Sequence, residues 1–289
     1  MLKGSIVALA TPFTNDDKLD IEALKRLVRF HLDNDTDGIL VAGCTGESFT
    51  LTDDERESLL SIVLEAVDGE LPVLAGCGAP SLWKAKQLAT RAKKLGADYA
   101  LVITPYGNKP SQEGMYRYFS EIAEVASPVV LYNVPSRTGR SLDPETVIRL
   151  SSHPNIVGIK EASGKLDNVS KIVKGCDISV LSGDDSLTLP MLTLGAVGVI
   201  STVANITPRT MHNMIEAFEN GDIESARKLH LRMFNLIKAL FIESNPQPLK
   251  YALSVMGLCE GNLRPPLAPI SETTANRLKD AMHEAGLIT

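Results

Sequence analysis

The feature that most limits what this chain of 289 residues can become is a repeated change of hydrophobic period. Short β-branched and apolar runs at 5–10, 38–42, 73–76, 99–103, 129–132, 156–160, 179–182 and 197–201 alternate with longer stretches whose apolar residues recur at helical spacing. Ile21, Leu24, Leu27, Val28 and Leu32 form one such stripe, and Leu59, Leu60, Val63, Leu64 and Val67 another. The short runs are apolar throughout rather than alternating, so each reads as a strand covered on both faces, the habit of parallel sheets wrapped in helices. Eight βα units in succession predict an α/β fold, a (β/α)8 TIM barrel. An open doubly wound sheet competes, but it usually has fewer strands, and the chain lacks a Gly-rich dinucleotide turn. Candidate N-caps punctuate the pattern at Thr52, Ser81, Ser111 and Asp143, the last followed by Pro144.

Beyond the eighth strand the pattern changes. Residues 222–243, 248–256 and 273–285 have helical periodicity with no strand among them, and Asn245-Pro246-Gln247-Pro248 interrupts the helical run. The expected organisation is a catalytic barrel over 1–221 and a C-terminal helical extension over 222–289. A net charge of -6 and 5% aromatic residues leave neither a basic stripe nor enough stacking rings for nucleic acid. No apolar run approaches the roughly 20 residues needed to span a bilayer. The first residues also lack the layout of a signal peptide, so a cytoplasmic protein is expected. Cys44, Cys77, Cys176 and Cys259 form no C-x-x-C pair and are expected as reduced thiols.

In barrels of this kind the chemistry collects where the strands end. The most informative end lies in Asn155-Ile156-Val157-Gly158-Ile159-Lys160-Glu161-Ala162-Ser163-Gly164. An ammonium at the mouth of a buried strand is partly desolvated, which lowers its pKa and favours the free amine that attacks a carbonyl. The commoner fate of a strand-terminal lysine is to snorkel to water or pair with a carboxylate such as Glu161. The company of Lys160 argues for chemistry. It is the only lysine at the predicted mouth, and Tyr132 ends the adjacent strand with a phenol able to shuttle a proton, although such a tyrosine also packs well without one. The turn Gly43-Cys44-Thr45-Gly46-Glu47-Ser48 opens toward a helix, where backbone N–H groups and Thr45 suit a carboxylate; an ordinary capped turn is the alternative. Arg137, in the loop after the fifth strand, is a forked anion binder unless it is merely solvated. None of His31, His153, His212, His230 and His283 ends a strand, and Asp184 with Asp185 reads more simply as a helix cap than as a cation site, so no metal is expected.

Three of these stretches, Gly43 to Ser48, Tyr132-Asn133-Val134-Pro135-Ser136-Arg137-Thr138-Gly139 and Gly158 to Gly164, resemble in order the motifs of the pyruvate-dependent class I aldolase and N-acetylneuraminate lyase family. The resemblance runs from Gly4 into the C-terminal helices. It implies a covalent Schiff base between Lys160 and pyruvate with no separate cofactor, then condensation with aspartate semialdehyde on the lysine and diaminopimelate branch. Tyr132 would be the proton donor and acceptor. Thr45 and the Ile200 backbone would hold pyruvate near Gly183, and Arg137 would receive the second carboxylate; the sialic acid lyase branch typically lacks that arginine. A homotetramer built as a dimer of dimers is also implied.

Two proton-relay positions depart from the family pattern. Cys44 stands where threonine is usual, and Gly107 where a second tyrosine usually crosses to a partner subunit. A thiol is a weaker hydrogen-bonding group than a hydroxyl and glycine supplies none, so slower condensation or another acceptor aldehyde is expected. Pro80 and Lys84 replace the asparagine and glutamate that bind feedback lysine in regulated members, so weak or absent lysine inhibition is expected. A lyase of the same mechanism on another 2-keto acid, and a non-catalytic pyruvate-binding barrel, remain as alternatives.

Overall fold

The computed structural model describes residues 2–289. Its strands are β1 Gly4–Ala8, β2 Gly38–Val41, β3 Val73–Gly76, β4 Tyr99–Ile103, β5 Val129–Asn133, β6 Ile156–Glu161, β7 Ser179–Ser182 and β8 Gly198–Ser201. They pair in parallel in sequence order, and β8 pairs back with β1, so the sheet closes into a barrel with helices in its crossovers. The (β/α)8 architecture expected from the alternating period is the one observed.

Both faces of each strand are buried, but in different company. Ile6, Leu40, Leu74, Leu101, Val130, Leu181 and Ile200 fill the barrel interior. Val7, Ile39, Val73, Val102, Leu131, Ile159 and Val199 point outward against the helices. This explains why the strands read as continuous apolar runs: period 2 is present, yet neither face meets water. On β6 the same alternation turns Ile159 toward the helices and Lys160 toward the interior.

The first strand ends earlier than its apolar run. Asn205 takes over the ladder there, accepting from the Ala10 backbone N–H at 3.0 Å and donating to the Ala8 carbonyl at 2.8 Å. Thr52 forms a reciprocal capping box with Glu55, and Ser81 and Ser111 cap their helices through side-chain oxygens. Asp143 holds the cap position of helix Pro144–Leu150 without a side-chain cap bond.

The last three helices are Ile223–Ala239, Gln247–Val255 and Glu272–Glu284. The first stops short of the residue 243 suggested by its periodicity. Leu240 caps it, and the chain then leaves helical geometry to carry Ser244 and Asn245 to the mouth of the barrel. Among the described residues, no helix is long and apolar enough to cross a membrane.

Candidate active site

At the carboxyl ends of the strands lies a cavity of about 1170 Å³ whose wall includes Cys44, Thr45, Tyr132, Arg137, Lys160 and Gly183. Of the eight residues expected to act in catalysis, proton relay or substrate binding, two stand apart from this wall. The Ile200 side chain is packed into the barrel interior, opposite Ile6 in the strand register. Gly107 is exposed on the loop after β4, with φ of +81°.

Lys160 is placed by register. It lies opposite Tyr132 on adjacent strands, and its Nζ is 4.6 Å from the centroid of the phenol ring. Only 5% of the residue is exposed. Burial pulls its ammonium from 10.5 down to about 8; Arg137 acts in the same direction, while Cys44 and Asp185 oppose it. Glu161 does not neutralise it. That side chain emerges on the other face of the strand, where it accepts from Asn133 Nδ2 at 2.9 Å and from the Ser163 backbone N–H at 2.7 Å. Gly183 is a steric requirement of the same spot, since a Cβ there would lie 3.0 Å from Lys160 Cγ and 2.6 Å from Ala162 Cβ. Burial raises the Tyr132 phenol well above its ordinary value, with Cys44 adding to the shift, so the hydroxyl stays protonated.

Thr45 is buried, its Oγ1 accepting from Asn245 Nδ2 at 3.0 Å and lying 3.4 Å from Thr202 Oγ1. Arg137 sits at the rim on a single helical turn, Pro135–Thr138, and its Nη2 donates to the Asn245 carbonyl at 2.8 Å. The loop carrying it is braced from below. Asn133 bonds Leu142 through both amide atoms, and Thr104 donates to Thr138 at 3.1 Å.

Three participants were not legible as such. Asn245, a mere helix breaker in the sequence, touches both Thr45 and Arg137. Asp185 is fully enclosed and accepts from the Thr202 and Val203 backbone N–H groups at 3.1 and 2.8 Å, which pins the turn after β8. Tyr106, the neighbour of Gly107, lines the cavity and packs edge to face on Phe49 at 5.2 Å. Asp184 does act as a cap, accepting from Ser186 N and Oγ. Among the described residues, no group of three or more His, Cys, Asp or Glu is arranged to hold a metal, and all four cysteines are free thiols.

A parallel barrel whose mouth holds one buried lysine, shifted toward its amine form beside a protonated phenol, has the layout of a lyase of the class I aldolase type. The model described as the dihydrodipicolinate synthetase family matches residues 1–285, and the chain belongs to that family. It is 50% identical, over the whole of both chains, to the 4-hydroxy-tetrahydrodipicolinate synthases of Pelobacter propionicus and Geobacter sulfurreducens. The crystal structure of dihydrodipicolinate synthase from Aquifex aeolicus superposes with a TM-score of 0.97 at 44% identity, covering 99% of each chain. The pyruvate complex of the enzyme from Acinetobacter baumannii does so with a TM-score of 0.98 at 40% identity, covering all of both chains.

Proposed function

We propose that the protein condenses pyruvate with aspartate semialdehyde to 4-hydroxy-tetrahydrodipicolinate, a step of lysine biosynthesis, through a Schiff base on Lys160. The observation that carries this reading is the buried Lys160 amine 4.6 Å from the Tyr132 ring. The amine adds to the pyruvate ketone to give a carbinolamine, and Tyr132 protonates the departing hydroxyl, releasing water and leaving an iminium. Loss of a methyl proton makes the enamine, whose carbon attacks the aldehyde. The amino group of the second substrate then displaces Lys160, closing the ring and freeing the lysine. On this reading Thr45 and the turn around it hold the pyruvate carboxylate together with the Ile200 backbone at the end of β8, and Arg137 at the rim takes the carboxylate of the semialdehyde. The carbonyl is activated by the chain's own lysine, so the reading needs no separate cofactor. Neither a different 2-keto acid nor a non-catalytic role has support among the relatives named above.

Borohydride reduction in the presence of pyruvate, followed by peptide mass spectrometry, tests the reading. The expected result is a pyruvate-sized adduct on Lys160 that diminishes when aspartate semialdehyde is added. Absence of an adduct at Lys160 would overturn the Schiff-base mechanism, and indifference to the aldehyde would overturn the assignment of the acceptor.

The relay departures have a structural sequel. Gly107 adopts a left-handed backbone conformation that tyrosine rarely takes, so the missing phenol cannot be restored there without strain. Cys44, in contrast, stands beside Tyr132 on the cavity wall, where a hydroxyl fits. Cys44→Thr should therefore raise kcat by about three- to tenfold while leaving pyruvate trapping unchanged. An unaltered kcat would sink the idea that the thiol weakens proton transfer.

We take the barrel, 1–221, to supply the lysine and phenol, and the extension, 222–289, to close the rim. The assembly we propose is a tetramer of two tight dimers. Trp83, 71% exposed, and the exposed Phe49 beside Tyr106 support an interface along the loops that Asn108 ties together through the Pro80 carbonyl.

A further inference from the structure

The C-terminal extension reaches back to the turn after β2 at two places. Asn245 bonds Thr45. Little more than one helical turn further on, Lys250 is wholly buried, and its Nζ lies 2.5 Å from Glu47 Oε1, with both side chains 0% exposed. The same ammonium donates to the Asn262 carbonyl at 2.5 Å and stands 4.1 Å from the centroid of the Phe13 ring. The second carboxylate oxygen of Glu47 accepts from the Arg264 backbone N–H at 3.1 Å. Every polar partner of this carboxylate named here comes from the extension.

Glu47 is two residues from Thr45, and its φ is +53°, in the left-handed region that a residue with a Cβ keeps only when its surroundings hold it there. Its backbone N–H donates to the Cys44 carbonyl at 3.1 Å, and the next N–H, of Ser48, donates to Gly43 at 3.2 Å. A change in the backbone angle at Glu47 therefore moves Cys44 and Thr45 directly. Neither Lys250 nor Glu47 lines the cavity, so neither meets substrate. A dry ion pair is seldom the most stable filling for a core, whereas removing one partner leaves an uncompensated buried charge.

We propose that Lys250 is a positioning residue. By neutralising Glu47 it keeps the left-handed turn in place, which fixes Thr45 Oγ1 for the pyruvate carboxylate and Cys44 beside Tyr132. The inference rests on the assignment of Thr45 to the pyruvate site made above, and it makes the extension a working part of that site.

The test is a cycle of Lys250→Met, Glu47→Gln and the double variant, all near the natural side-chain lengths. Each is measured for KM of both substrates, for borohydride trapping at saturating pyruvate, and for folding by circular dichroism. Lys250→Met should raise the KM for pyruvate by about tenfold or more, with the KM for aspartate semialdehyde and the trapped fraction within about twofold of wild type. The double variant, which removes both charges and preserves the shape, should return the KM for pyruvate to within about threefold of wild type. A folded Lys250→Met protein with an unchanged KM for pyruvate would overturn the proposal. So would equal loss for both substrates, or a double variant no better than the single one. If Lys250→Met does not fold, Glu47→Gln is read in its place, and an unchanged KM for pyruvate there has the same force. Wild-type protein that forms no adduct would instead remove the reading of the site itself, whatever the variants do.

Discussion

Lys160→Met should lose condensation activity by about 10⁴-fold or more and form no borohydride adduct, because the other amine on the cavity wall, Lys238, is exposed and donates to Ser186 Oγ at 3.0 Å. The same change should make the protein more stable. The unfolded chain keeps the lysine proton up to its ordinary value of 10.5, whereas the folded protein releases it at about 8. Below pH 8 the charged side chain is therefore held in a site that disfavours it, at a cost of about 3 kcal/mol. The penalty fades as pH rises from 8 to 10.5, the window in which the unfolded state binds the extra proton. Urea denaturation at pH 6.5 should show Lys160→Met more stable than wild type by about that amount, with the gap closing toward pH 10. Substantial residual activity, or no gain in stability at pH 6.5, would contradict the account of a lysine held in an unfavourable place for its chemistry.

The second large effect is on pH. On the proposed mechanism the free amine is the attacking species, so the rate of pyruvate capture by free enzyme should climb about tenfold per pH unit below 8 and level off above it, roughly 100-fold between pH 6 and 9. At pH 7 a lysine with a value near 8 holds about 300 times more free amine than one at its ordinary value. Stopped-flow or quench measurements of adduct formation on free enzyme report this directly. A rise that continues to pH 10 before levelling would mean that the site does not depress the lysine. Tyr132 leaves this profile undisturbed, since burial keeps its phenol protonated across the whole range.

The fold was legible because its information is local and repeated. Each strand is short and apolar on both faces, and seven of the eight observed strands lie within one residue of the run that predicts them at both ends. The facing of Tyr132 and Lys160 was legible for the same reason: strands in sequence order bring their ends together. The exception at β1 depends on Asn205, whose amide arrives from beyond β8. The contacts of Asn245 and Lys250 were hidden for a like reason, since nothing near them in the chain says where the extension will lie. A buried lysine in an apolar helix, Gln247–Val255, was the one available signal, and without a known partner it reads as an exposed residue. Gly107 marks the opposite case: its identity was visible, but the left-handed backbone that excludes tyrosine was not.

Asn245 joins Thr45 and Arg137 through opposite ends of one residue, its side chain on the first and its carbonyl under the second. On the proposed assignment these are the anchors of the keto acid and of the semialdehyde. A shared tether of this kind makes the two occupancies thermodynamically linked. Whatever factor bound pyruvate applies to the affinity for the aldehyde, the aldehyde must apply to pyruvate in return. The coupling between the two substrates is thereby carried by a single asparagine that takes no part in bond making.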